Sequence, residues 1–73
     1  MRPVSDFAEN LRRIMGDRGM TQAELGRMVG ISQGNVFMYV TGRREPRATY
    51  ILRIATALGV TTDELLGVRR DGD

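Results

Sequence analysis

Apolar residues recur along this chain three or four positions apart, which is the spacing of amphipathic helices. A first face follows Ser5 and Asp6, either of which would cap the helix, and comprises Phe7, Leu11, Ile14 and Met15. A second face follows Pro46 and comprises Ala48, Ile51, Leu52, Ala55 and Leu58. No segment alternates with a two-residue period over the length of a strand, so the pattern predicts an all-α fold.

Three stretches share one local pattern: Gly, an apolar residue, Thr or Ser, and a second apolar residue four positions after the hydroxyl. They are GMTQAEL, GISQGNV and GVTTDEL. Gly tolerates the left-handed conformation that ends a helix, and the hydroxyl can cap the next one. The two apolar residues fit a hydrophobic staple, and a Glu three residues after the hydroxyl would complete a capping box. Helices are therefore predicted to begin after Thr21, Ser32 and Thr61.

Together these patterns predict five helices, at about 6–17, 22–29, 33–41, 47–58 and 62–66. The second and third are short and are joined only by residues 30–32, as in a helix-turn-helix. Their inward residues are predicted to be Leu25, Met28, Val29, Ile31, Val36, Tyr39 and Val40. We expect one domain over residues 1–73, with a flexible tail at 68–73.

The composition of the 73 residues excludes several kinds of site. The sequence contains neither Cys nor His, so disulfides, Cys- or His-based catalysis and zinc sites that need those ligands are excluded. The carboxylates are scattered singly, and we expect neither an enzyme nor a bound metal or cofactor. No apolar run has the length of a membrane span and no leader opens the chain. A soluble cytoplasmic protein is expected.

Positive charge is concentrated in the middle third of the chain. All eleven basic residues are Arg, whose planar guanidinium suits phosphate or guanine. Residues 27–53 carry a net charge of +4, whereas residues 1–26 are neutral and residues 54–73 carry −2. An anionic partner is therefore expected to bind the middle third.

The segment TQAELGRMVGISQGNVFMYVTGRREP resembles the helix-turn-helix of the phage repressor and Cro family, the xenobiotic-response-element type. The matching positions are Thr21-Gln22, Leu25-Gly26, Gly30-Ile31-Ser32, Gly42 and Pro46. IATALGVTTDELL resembles the last two helices of the family, so the likeness covers about residues 5–67. It implies a compact five-helix, lambda-repressor-like domain with its helix-turn-helix at about 22–41. Many relatives carry Glu at position 40 and Ala at position 26, where this chain has Val40 and Gly26.

The resemblance implies that the helix after Ser32 lies in the major groove of double-stranded DNA, as in known members of the family. The neutral Asn35 suits a helix start near phosphates better than Glu, although Asn is also acceptable at any helix start. The predicted base-reading residues are Gln33, Gly34, Asn35, Phe37 and Met38. Gln33 can pair with adenine, and the two apolar side chains can pack on thymine methyl groups. Alternatively, either apolar residue is partly buried under the turn at 43–46.

Predicted phosphate contacts surround this helix and come from Gln22, Ser32, Thr41, Arg43, Arg44 and Arg47. The resemblance assigns Gln22 to a phosphate and also gives it a role in supporting Gln33. For the arginines, a merely solvated basic loop is the alternative. Arg12 and Arg13 fit either role and are not assigned.

A homodimer on a near-palindromic operator is expected, because the family commonly dimerises through its last helix. The predicted interface comprises Tyr50, Ile54, Leu66 and Val68, although core packing is the alternative for such residues. A transcriptional regulator is the favoured function, either a Cro-like repressor or a restriction–modification controller protein. The rival is an antitoxin or another protein-interaction module, in which Phe37 and Met38 contact a protein partner.

Overall fold

The computed structural model describes residues 6–68, which form five helices and no strand. The helices are α1 (Phe7–Arg18), α2 (Gln22–Val29), α3 (Gln33–Val40), α4 (Ala48–Leu58) and α5 (Thr62–Leu66). Each boundary lies within one residue of its prediction, and the all-α fold is confirmed. Asp6 occupies the N-cap position of α1, but its side chain makes no capping hydrogen bond. Ser5 and the tail beyond Val68 lie outside the described residues.

The three predicted staples place their second apolar residue in the centre of the core. Leu25, Val36 and Leu65 are fully buried. Their partners before each cap are half-buried and pack against the same core, namely Met20, Ile31 and Val60. Each short helix is therefore held at its start by apolar contacts, which compensates for the low stability of short isolated helices.

The helix-turn-helix rests on the longer helices. α3 packs against α1 and α2, whereas α2 packs against α3 and α4, and α5 closes the domain against α1 and α4. The ring of Phe7 meets that of Tyr39 edge to face, with the ring centroids 6.4 Å apart, which is a favourable aromatic geometry. The Asn10 side chain donates a hydrogen bond to the Leu65 carbonyl over 3.2 Å and so joins α1 to α5.

Three positions of the predicted apolar faces are instead at the surface. Met28 is 58% exposed and Leu52 is 60% exposed. In α2 the buried residues are Leu25, Gly26 and Val29, and Met28 lies beside this narrow face. The prediction for α4 had the wrong rotation about the helix axis, and Ala48 is exposed as well. The residues that pack inward there follow the spacing i, i+3, i+4 and i+7, and are Ile51, Ile54, Ala55 and Leu58.

The observed orientation of α4 also overturns part of the predicted dimer interface. Ile54 is 0% exposed, so its assignment to a dimer interface was wrong: its side chain is fully used within the core. Tyr50 and Leu66 are half-buried and pack against the core. Val68 is exposed, as a surface contact would require.

Candidate nucleic-acid interface

A tight turn fixes α3 against α2. Gly30 has a φ of 85°, a left-handed conformation that side chains disfavour. Its N–H and that of Ile31 both donate to the Gly26 carbonyl, over 2.8 and 2.9 Å. Gly26 itself packs so closely that a Cβ there would lie 2.7 Å from the Ile31 carbonyl oxygen. The absence of a side chain at position 26 therefore sets how near α3 lies to α2.

The start of α3 differs from the starts of α2 and α5. Thr21 and Thr61 each form a complete capping box, in which the hydroxyl accepts from the third helical N–H and the Glu accepts from the cap N–H. At α3 the Ser32 hydroxyl accepts from the Asn35 N–H over 3.1 Å, but the first turn contains no acid. The helix end thus keeps its partial positive charge without a neighbouring carboxylate in that turn.

The capping box also changes the acidity of Glu24. The backbone N–H of Thr21 donates to its carboxylate over 2.8 Å. This hydrogen bond is the main reason that the pKa of Glu24 lies below its ordinary value, with smaller contributions from the Thr21 hydroxyl and the charge of Arg27. A hydrogen bond to the charged form favours that form. The carboxylate at the start of α2 is accordingly held ionised.

The five predicted base-reading residues lie on the outer side of α3. Gln33 and Gly34 are exposed, and Asn35 and Met38 are half-buried. Phe37 is 44% exposed, which is unusual for a large aromatic side chain on a small domain. A Cβ on Gly34 would meet only the Ser32 hydroxyl, at 3.8 Å, so open space surrounds this position.

The basic turn after α3 folds back on the helix that it follows. The N–H groups of Arg43 and Arg44 donate to the Met38 carbonyl over 3.0 and 3.3 Å. The Arg43 guanidinium carbon lies 5.9 Å from the centroid of the Phe37 ring, within the range of a cation–π contact. A predicted phosphate-binding residue and a predicted base-reading residue thus form one surface.

The remaining predicted phosphate-binding residues differ in their exposure and in their own hydrogen bonds. Arg44 and Arg47 are exposed, as is Ser32, whereas Gln22 is half-buried. The Thr41 hydroxyl donates to the carbonyls of Phe37 and Met38, over 2.8 and 3.2 Å. Its proton is therefore directed into the helix, and a phosphate contact from Thr41 would require the hydroxyl to rotate.

Arg12 has a role that the sequence left open. One of its guanidinium N–H groups donates to the Val40 carbonyl at the end of α3. Its side chain borders a groove with Thr21 and Gln22 on one side and a groove with Thr41 and Arg44 on the other. Arg12 therefore attaches α1 to the last turn of α3. No local sequence signal points to this contact, because the two residues are 28 positions apart in the chain.

A family model for the helix-turn-helix, HTH_3, matches residues 11–65, which include most of α1 and all of the elements just described. The chain belongs to the HTH_3 helix-turn-helix family. Known proteins of this kind are DNA-binding transcriptional regulators. The resemblance to phage repressor and Cro proteins is thereby confirmed.

Similar HTH_3-type proteins come from a prophage, a phage and a restriction–modification system. The SPbeta prophage-derived uncharacterized HTH-type transcriptional regulator YonR of Bacillus subtilis (strain 168) is 30% identical over 82% of this chain. The P22 c2 repressor, solved with a synthetic operator, is 30% identical with a TM-score of 0.78, over 92% of this chain and 96% of that one. The restriction–modification controller protein C.AhdI of Aeromonas hydrophila is 30% identical with a TM-score of 0.77, over 81% and 89%.

This chain matches only part of YonR but nearly all of the two solved structures. This chain spans 56% of the length of YonR, so the shared part is the helix-turn-helix domain rather than the whole of that regulator. The P22 c2 and C.AhdI structures match nearly along their full length. The P22 c2 repressor and the C.AhdI controller protein are each 30% identical to this chain, so identity favours neither kind of regulator over the other.

Proposed function

We propose that this chain is a sequence-specific transcriptional regulator that places α3 in the major groove of its operator. The observation that carries the proposal is the start of α3, which lacks an acid and presents the exposed Gln33. Helix N-termini attract phosphates, and the basic turn that follows α3 supplies further positive charge. Binding, rather than catalysis, is the proposed activity.

Base reading is proposed for the outer face of α3. Gln33 is at the first position of the helix, where its amide can donate to and accept from one adenine. Gly34 lets the backbone approach the base edges closely, and Asn35 reaches a base edge or a phosphate. Phe37 and the exposed part of Met38 pack on thymine methyl groups, which gives the apolar part of the readout.

Phosphate contacts are proposed for the residues on both sides of α3. Arg43, Arg44 and Arg47 carry the charge, and Gln22, Ser32 and Thr41 add neutral contacts. Contacts of this kind fix the orientation of the protein but carry no sequence information. The affinity for DNA should therefore fall as salt rises, with a slope that grows with the number of phosphates neutralised.

A homodimer is proposed to bring two copies of α3 to one operator. Val68 is exposed and Leu66 is half-buried, so the end of α5 offers apolar surface, and the half-buried Tyr50 of α4 is a third candidate. Two recognition helices about 34 Å apart would meet successive major grooves and require a near-palindromic site. Such a regulator acts in the cytoplasm on the DNA of its host, and no helix within residues 6–68 is long and apolar enough to cross a membrane.

Selection from a randomised duplex library tests the proposal, with the unmodified chain and with Gln33→Ala. We expect the unmodified chain to enrich an inverted repeat, and the variant to lose preference at one position in each half-site. Thr62→Ala is the matched control, because Thr62 occupies the same first position in α5. Salt-sensitive binding without sequence preference would contradict base reading by α3. That outcome would favour the alternative function, a module that mainly binds another protein.

A further inference from the structure

An exposed apolar surface lies between α2 and α4, away from the residues proposed to bind DNA. We call it the α2–α4 patch, and it comprises Met28, Leu52, Arg53, Thr56 and Ala57, which line one shallow groove. Met28 and Leu52 are the two most exposed large apolar side chains within residues 6–68. Neighbouring apolar side chains that remain this exposed commonly mark a binding surface.

The patch lies on the far side of α2 from α3. Gly26 faces the turn into α3, since a Cβ there would meet the backbone of Ile31, Ser32 and Gln33. Each helical residue advances the side-chain direction by about 100°, so Met28 points about 200° away from Gly26. The rest of the patch comes from α4, which packs against α2 but not appreciably against α3. The patch consequently stays accessible when α3 occupies a DNA groove.

The charge at the patch is positive. Arg53 lines the groove, and its guanidinium carbon lies 5.6 Å from the centroid of the Tyr50 ring, which holds the cation beside the apolar surface. α4 contains no acidic residue. On α2, Glu24 lies one helical turn before Met28, and its carboxylate accepts from the Thr21 N–H and attracts Arg27. The positive charge that lines the groove is therefore that of Arg53. An occupant with carboxylates beside its apolar side chains would therefore complement the patch.

The same charge argues against a second copy of this chain as the occupant. A symmetric contact presents the same surface from both subunits, so it would bring the Arg53 side chains of the two copies together. Like charges placed opposite each other at an interface oppose association. An acidic partner avoids this repulsion and gains ion pairs at the rim.

We propose that the α2–α4 patch docks an acidic amphipathic helix of another protein. Apolar side chains one helical turn apart would occupy the groove between Met28 and Leu52, and Asp or Glu beside them would meet Arg53. This is the way in which amphipathic helices are recognised by apolar grooves. The regulator could then hold DNA through α3 and a protein through the opposite side of the domain.

The test is selection from a display library of 16-residue helix-forming peptides with randomised apolar and charged positions, using the whole chain as bait. We expect enriched peptides to combine an apolar stripe with an excess of Asp and Glu. The double variant Met28→Ser, Leu52→Ser should weaken their binding about tenfold or more, because central apolar contacts dominate such interfaces. Arg53→Glu should shift the selected sequences towards Lys and Arg.

Phe37→Ser is the matched control, since Phe37 is also an exposed large apolar residue but lies on α3. It should leave peptide binding unchanged. The proposal fails if the library yields no binder, if the enriched peptides lack an acidic excess, or if they bind the double variant as well as the unmodified chain. NMR signals of Met28 and Leu52 that shift with protein concentration alone would instead identify a self-association surface. DNA takes no part in this experiment, so its outcome is independent of the proposed operator binding.

Discussion

The starts of α2 and α5 are built alike, and the start of α3 is not. All three begin with a hydroxyl cap that accepts a backbone N–H three residues on. In α2 and α5 a Glu then accepts the N–H of the cap residue, whereas in α3 that place is taken by Asn35. A Glu at this place would favour the isolated domain, because it would complete the box and complement the helix dipole.

The difference separates helix starts that stabilise the fold from the helix start that we propose to face DNA. α2 and α5 carry the features that stabilise a helix start most fully. α3 omits the carboxylate, and with it a charge that would repel DNA phosphates. The start of α3 is therefore less stabilised than it could be, which is typical of a surface reserved for a ligand.

Asn35→Glu should make the start of α3 equivalent to the other two. Thermal unfolding should show a gain in stability of about 0.5–1 kcal/mol from the completed capping box. Operator affinity, measured by fluorescence anisotropy, should fall about 100-fold, because the new carboxylate meets phosphates. Asn35→Gln is the control, since Gln can also close a capping box but adds no charge. Unchanged operator affinity in the Glu variant would mean that this helix end does not face the DNA backbone.

Gly26→Ala should push α3 away from α2 and thereby lower the stability of the domain. The added Cβ would lie 2.7 Å from the Ile31 carbonyl, and a backbone atom cannot move aside cheaply. Chemical denaturation should show a loss of about 1–2 kcal/mol, as for other overpacked positions. The control is Gly16→Ala on α1, where a Cβ meets nothing within 4 Å. That change should stabilise the chain by about 0.5–1 kcal/mol; equal effects at the two positions would show that the turn tolerates the methyl group.

Removal of a hydroxyl cap should lower stability at either helix but should lower DNA affinity only at α3. Thr61→Ala should lower the free energy of unfolding by about 1 kcal/mol, and Ser32→Ala by a similar or smaller amount. Only Ser32→Ala should weaken operator binding beyond its effect on folding, because only that hydroxyl faces the proposed interface. Anisotropy measured at several salt concentrations would decide this point. Equal losses of operator affinity in Ser32→Ala and Thr61→Ala would contradict a specific role of the Ser32 hydroxyl in DNA binding.

Acidification should weaken the start of α2, where Glu24 becomes protonated. The start of α3 should be unaffected, because Asn35 stands at the equivalent place and does not titrate. The pKa of Glu24 is lowered in the folded chain, chiefly by its hydrogen bond from Thr21. The unfolded chain therefore binds the proton more readily. The contribution of Glu24 is complete above the unfolded pKa of about 4.3 and is lost as pH falls through the folded value. Glu24→Gln should remove this part of the pH dependence in unfolding experiments, whereas Asn35→Gln should not alter it.

Local signals allowed most of the fold to be predicted. Each helix start is specified by a few adjacent residues, and accordingly the limits of α2 and α5 agree with their predictions without any shift. The rotation of α4 depends instead on how it packs against α2 and α5, which neighbouring sequence does not determine. Ile54 was for that reason assigned to a dimer interface although it lies in the core. Met28 and Leu52 were assigned to the core although they are exposed.

The candidate site was predictable in its residue types but not in its internal contacts. The outer positions of α3 follow from the periodicity of Val36, Tyr39 and Val40, which are all buried. The stacking of Arg43 on Phe37 and the bond from Arg12 to Val40 join residues that the local pattern does not relate. Such contacts depend on the conformations of long side chains, which a periodic pattern leaves undetermined.

The bond from Arg12 to Val40 has a consequence for how this domain can evolve. Its acceptor is a main-chain carbonyl, and every amino acid provides one. The link between α1 and the end of α3 therefore survives replacement of the side chain at position 40, provided that the replacement fits the core. In this chain, new sequences can be sampled at the end of α3 while its attachment to the rest of the domain is inherited unchanged.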